Sequence, residues 1–182
     1  ALSGIGECDL VSLERVLVTG ANGFIGHHLV HGLALQRPVR AQVRHPVANV
    51  GTQDVWVVPD MLARPMLREA MNGIDTVVHA AGRAHVLQDS TNDPAAEFRR
   101  ANVEVTEALI DEALASGVRR FVLLSSVAVF GNAPDGVLRD TSPTLPTTPY
   151  GSSKLEAETA TLAAGRAGSL EVVVLRLPLV YG

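Results

Sequence analysis

The sequence predicts an α/β fold, a doubly wound parallel sheet with helices on both faces. Three observations carry that prediction. Short apolar runs of strand length alternate along the chain with longer helical patterns, as repeated strand-helix-strand units require. The runs are dense in Val, Leu and Ile with little polar alternation, so both faces of the strands are expected to be covered. Aromatics make up only 4% of residues against 47% hydrophobics, so the core must be packed from aliphatic side chains and small helical residues.

The elements follow in order. Six strands are predicted at residues 15–19, 39–44, 55–58, 75–80, 119–125 and 171–175, each bounded by Gly, Pro, Asp or Asn. The first leads through a glycine-rich turn into a helix carrying His27, Leu29, Leu33 and Leu35. After the fourth strand, Asp93 can cap a helix and Pro94 fits its first position. That helix should run to Ser116 and stop at Gly117. Residues 131–149 read as a long loop because Pro134, Pro143, Pro146 and Pro149 exclude regular structure, and loops of that length are usually functional. A last helix begins at Tyr150 and continues through Leu155, Ala157 and Leu162. No repeat or low-complexity linker divides the chain, so residues 1–182 are expected to form one domain, with 1–14 as an N-terminal extension.

Composition excludes several function classes. A net charge of -4 offers no basic footprint for nucleic acid or for an anionic membrane surface, and neither is expected as a partner. The opening segment has Glu7, Asp9 and Glu14 and no long apolar stretch, so no export signal is read there. No apolar run approaches the roughly 20 residues a membrane-spanning helix needs. Cys8 is the lone cysteine, which rules out an internal disulfide and makes the cytoplasm the simplest expectation. His27, His28 and His31 lack metal-ligand spacing, and no metal is assigned.

Two motifs carry chemistry. In Thr19-Gly20-Ala21-Asn22-Gly23-Phe24-Ile25-Gly26, Gly20 and Gly23 let the backbone turn and approach a pyrophosphate, Gly26 lets helix and strand pack, and the helix N-terminus attracts phosphate. In Tyr150-Gly151-Ser152-Ser153-Lys154, a phenol and an ammonium stand four apart at a helix start and share a face. A phenol ordinarily ionises near pH 10, so ionising one at pH 7 requires about 4 kcal/mol of preferential stabilisation. A cation at about 4 Å and an effective dielectric of about 20 supplies about that much. Lys154 is the only lysine among 15 basic Lys and Arg residues, so a compact ammonium stands here in a chain that otherwise uses Arg.

The three-residue glycine spacing resembles the TGxxGxxG form of short-chain dehydrogenases. The resemblance continues through Asp60-Met61, His79-Ala80-Ala81-Gly82, Asn102-Val103 with Thr106, and Ser125-Ser126. The ending Arg176-Leu177-Pro178-Leu179-Val180-Tyr181-Gly182 is most similar to the extended branch, the epimerases, dehydratases and ketoreductases of sugar nucleotides. It implies a Rossmann-type dinucleotide site made by Gly20, Asn22, Gly23, Phe24, Ile25, Gly26, Asp60, Met61, Ala80, Ala81, Gly82, Asn102, Ser125, Tyr150, Lys154 and Pro178. It implies a catalytic trio of Ser126, Tyr150 and Lys154, with Ser125 as the alternative hydroxyl. It also implies a C-terminal substrate domain largely absent from these residues, a nucleotide-sugar substrate, and room for a homodimer. Phe130 replaces the family's usual Tyr and Leu179 its frequent Asn, so substrate contacts are expected to differ.

Cofactor choice is read at the end of the second strand, where an acid would bind a ribose 2′-hydroxyl. Arg44 stands there instead, a forked donor for a 2′-phosphate, so NADP is favoured, with NAD as the alternative. The expected function is hydride transfer between a nicotinamide cofactor and a nucleotide-linked sugar, by 4-keto reduction or 4-epimerisation, which use the same Ser, Tyr and Lys. A non-catalytic NADP-binding redox sensor would need the glycine turn alone, and a fragment inactive without its substrate domain would carry the same motifs.

Overall fold

The computed structural model describes residues 14–84, 93–132 and 137–181. Cys8 and nearly all of the N-terminal extension, His85, Val86, Pro134 and Gly182 lie outside the described residues. Six strands, β1 (Val16–Thr19), β2 (Val39–Val43), β3 (Asp54–Val57), β4 (Thr76–His79), β5 (Arg120–Ser126) and β6 (Glu171–Leu177), form one sheet. Every pairing is parallel and the order is β3-β2-β1-β4-β5-β6. Each of the six strands read from the sequence is present. β6 extends two residues beyond its expected end because Arg176 and Leu177 pair with Ser125 and Ser126 of β5.

The two-residue period of a strand sorts side chains between the two faces. In β1, Leu17 enters a core with Leu67, Met71, Leu109 and Phe121, while Val16 and Val18 enter a separate core with Val30, Val39 and Val43. The expectation that both faces of the strands are covered fails at β6. Val172 and Val174 pack against the larger core, but Val173 and Leu175 remain 40% and 43% exposed. β6 is an edge strand, and no helix among the described residues lies over that outer face.

The helices are α1 (Phe24–Ala34), α2 (Arg64–Ala70), α3 (Pro94–Arg99), α4 (Val105–Ala115) and α5 (Pro149–Arg166). Asp93 caps α3 as expected, accepting from Ala96 N at 3.1 Å. α3 and α4 make the single long helix read from the sequence, interrupted by a wider π turn at Arg100–Glu104, and Gly117 follows its end with φ +72°. The proline-rich loop differs from the expectation only at its far end, by one residue. Val127–Phe130 closes one 3₁₀ turn, and Pro149 opens α5, where its missing N–H costs no helical bond.

Candidate cofactor cleft and active site

Strand order reverses between β1 and β4, so their connections leave in opposite directions and a crevice opens at the carboxyl edge of the sheet. The glycine turn fills its floor. Gly20 adopts φ +65°, and a Cβ there would stand 2.7 Å from Ala81 Cα. A Cβ on Gly26 would meet the Gly20 carbonyl oxygen at 2.1 Å, so α1 can approach β1 only without a side chain. Gly23 donates to the Gly20 carbonyl at 2.9 Å and precedes α1 without a side-chain cap, which leaves first-turn amides open to an anion.

Gln42, a residue the motif reading passed over, holds this turn. Its side-chain oxygen accepts from Gly20 N at 3.1 Å and its amide donates to Val58 O at 3.2 Å, while its own carbonyl accepts from Ala21 N at 3.0 Å. The available signal was an amide in a strand read as buried, where a polar side chain must find partners.

Two cavities meet in the crevice. One of about 470 Å³ is lined by Gly20, Asn22, Gly23, Arg44, Asp60, Met61 and residues 80–83, with Arg100 on its wall. The other, about 540 Å³, is lined by Gly23, Phe24, Ile25, Gly26, residues 80–83, Asn102, Ser125, Ser126, Tyr150, Lys154 and Pro178. Both lie within the size range of small-molecule sites and share Gly23 and the strap after β4. Every predicted site residue therefore lines one of them. Arg44 is exposed just beyond β2, and Asp60 is exposed with one oxygen accepting from Leu62 N at 2.9 Å.

Asn102 sits on the π turn, and its side chain is committed to protein. Its oxygen accepts from Arg83 N at 2.8 Å, and its amide donates to Arg83 O at 3.0 Å and Ser153 Oγ at 2.9 Å. It reaches the cleft by clamping the strap that walls both cavities. Thr19 anchors the same strap from β1, accepting from Ala81 N at 3.3 Å and sharing a 2.7 Å hydrogen bond with His79 Nδ1. Burial, with the Lys154 charge adding, drives the His79 pKa from 6.5 down to about 3, so this imidazole is neutral.

Thr148 caps α5 by accepting from Gly151 N at 3.0 Å, which fixes the turn bearing Tyr150. One turn on, Lys154 is buried and donates from Nζ to Leu124 O at 2.7 Å. Burial lowers its pKa from 10.5 to about 8, and Glu158 opposes the fall. The Tyr150 ring packs on Phe98 with centroids 5.9 Å apart, and the Arg83 guanidinium lies over Phe98 at 5.4 Å.

The two serines have different partners. Ser126 Oγ accepts from Ala128 N at 3.1 Å, capping the 3₁₀ turn, and an acceptor bond leaves the hydroxyl proton to be donated elsewhere. Ser125 Oγ is buried and donates to Glu158 Oε1 at 2.5 Å. Among the described residues, no group of three or more His, Cys, Asp or Glu is placed to hold a metal ion. Nor is any described helix long and apolar enough to cross a membrane.

The chain matches the family model described as NAD dependent epimerase/dehydratase family over residues 16–182. It is 36% identical over 176 residues to a UDP-glucose 4-epimerase of Vibrio cholerae, covering 93% of this chain and 52% of that protein. A dTDP-glucose 4,6-dehydratase of Streptomyces antibioticus is 34% identical over 183 residues, with 92% and 54% covered. Among solved structures, MoeE5 in complex with UDP-glucuronic acid and NAD superposes with a TM-score of 0.79 at 36% identity, covering 89% of this chain and 54% of that one. The chain spans about half the length of the curated relatives it matches. Sheet order, glycine turn and the match across nearly all its residues agree: this chain belongs to the NAD-dependent epimerase/dehydratase family.

Proposed function

We propose that this chain carries the dinucleotide-binding and proton-transfer part of an oxidoreductase or epimerase acting on a nucleotide-linked sugar, by 4-keto reduction or 4-epimerisation. The observation that carries the reading is one cavity shared by the start of α1, Ser126, Tyr150 and Lys154. The uncapped first turn of α1 and the glycine turn would hold the pyrophosphate, Asp60 and Met61 the adenine end, and the Asn102-clamped strap the wall between. A bound nicotinamide supplies a place for hydride to be accepted and returned. The residues of the chain supply the rest. Tyr150 takes or gives the sugar hydroxyl proton, Lys154 as an ammonium favours the phenolate, and Ser126 donates to the sugar oxygen. UDP-sugars are the substrate class favoured by the epimerase relative and by MoeE5.

One side of the cavity is open, where its lining residue Leu179 is 81% exposed next to Pro178. That supports a second reading in which residues 1–182 alone bind dinucleotide but do not turn over a sugar nucleotide, since positioning needs enclosing walls. A dinucleotide sensor would not need a buried lysine beside the tyrosine, so the site favours the enzyme. Titration with NADH and NADPH tests the dinucleotide site, and single-turnover hydride transfer on UDP-sugars separates the two readings: transfer by the unaltered chain supports the first, and dinucleotide binding without transfer the second. Tyr150→Phe should keep dinucleotide affinity within about twofold while lowering hydride transfer by about 100-fold or more. Wild-type transfer from Tyr150→Phe, or no dinucleotide bound by the unaltered chain, sinks the reading.

A further inference from the structure

Behind the tyrosine and lysine lies an ion pair, its carboxylate buried and its guanidinium half-buried, that the proposed chemistry does not use. Glu158, only 1% exposed, is one helical turn beyond Lys154 on α5. The Arg176 guanidinium of β6 grips it with three bonds of 3.1, 3.1 and 2.7 Å, and Ser125 of β5 donates to it at 2.5 Å. Arg176 also stacks on Phe130 at 4.8 Å and donates to Asp140 O at 3.2 Å. Burying a carboxylate carries a desolvation cost that even a good ion pair often only balances, so packing alone gives little reason to bury Glu158. Its placement gives a better reason: Ser125 follows Leu124, whose carbonyl receives the Lys154 ammonium.

We propose that Glu158 is a positioning residue of this site, whose carboxylate, oriented by Arg176, fixes the end of β5 through Ser125 and holds Lys154 as an ammonium against Leu124 O. The inference rests on the reading of Tyr150 and Lys154 as the proton-transfer pair. The groups facing Lys154 are few. Tyr150 and Glu158 come from α5 and neutral His79 from β4; β5 presents the Leu124 carbonyl, and the Arg176 charge of β6 is spent on Glu158. Glu158 is thus the anion that opposes the desolvation of Lys154.

Because Lys154 is the only lysine, a chain labelled with ¹³C at lysine Cε reports its ionisation as one resonance. Burial places the expected midpoint in the unaltered chain at about 8. Glu158→Gln should lower it by roughly 1 unit or more, since an opposing charge within a helical turn is removed. The double variant Glu158→Leu with Arg176→Met, which leaves neither charge buried alone, should lower it by a smaller amount, because the Arg176 cation leaves together with the carboxylate, and decides the matter should Glu158→Gln unfold. An unchanged midpoint in the double variant overturns the proposal. So does a rise toward the ordinary 10.5, which would mean that the pair serves only to keep Lys154 buried. The titration needs no cofactor or turnover, so failure of the catalytic reading would register separately.

Discussion

Arg44 shows how much can hang on one side chain at a strand end. β2 finishes at Val43, and Arg44 follows on the wall of the cavity that also holds Asp60, with no carboxylate beside it in sequence. A guanidinium there can fork onto a 2′-phosphate, whereas an acid would accept from a ribose hydroxyl. MoeE5 was solved with NAD, so the preference has to be measured on this chain. Arg44→Asp should weaken NADPH roughly ten- to a hundredfold, the worth of a charge-assisted pair, while changing NADH little. Fluorescence titration with both dinucleotides checks it, and equal wild-type affinity for the two would retire Arg44 as the reader of the phosphate. Gln42, two residues earlier, works by geometry instead of charge, bolting the glycine turn to β2 and to Val58.

At the level of elements, the long helix after β4 is more than a cover for the sheet. Its π turn over Arg100–Glu104 brings Asn102 inward, and π turns concentrate at functional sites because they re-aim a side chain. Asn102 spends its three hydrogen bonds on Arg83 and Ser153, joining the strap after β4 to the start of α5. Asn102→Ala would leave partly buried backbone groups of Arg83 without that partner, at a cost of about 1 to 2 kcal/mol. Denaturant unfolding should show that loss. Calorimetry should show weaker dinucleotide binding as well, because the strap walls both cavities; a stability loss with binding unchanged would confine Asn102 to the fold.

For the whole molecule, pH acts through a group buried between β1 and β4. His79 has its pKa lowered from 6.5 to about 3 in the folded chain, so above pH 6.5 neither state holds the proton and the full stability is present. As pH falls from 6.5 toward 3 the unfolded chain takes up a proton that the folded chain refuses, and stability is lost. The span corresponds to a few kcal/mol, on the order of 5 at its acid end. Unfolding measured between pH 7 and 4 should show a steep decline that His79→Asn flattens; equal slopes in the two proteins would refute the assignment. The loss is global because the Thr19 hydroxyl joins His79 and the Ala81 amide, tying the central strands to the strap.

Local pattern was enough for much of this protein. The strands were legible because buried parallel strands leave apolar runs, and the glycine turn because only glycine tolerates the approach of Ala81 to Gly20 and of α1 to the Gly20 carbonyl. Tyr150 and Lys154 were legible because a four-residue spacing on a helix is itself a statement of geometry. Other roles had no such signature. The exposed outer face of β6 depended on which element covers it, a matter strand composition does not encode. Gln42, Asn102 and Glu158 read as ordinary polar residues, since their partners lie 16 to 51 positions away. What the sequence by itself determined is every feature whose physics is settled within a turn or a strand. The tertiary structure alone decided which polar side chains the sheet would bury together, because a buried polar group is defined by partners that only folding brings within reach.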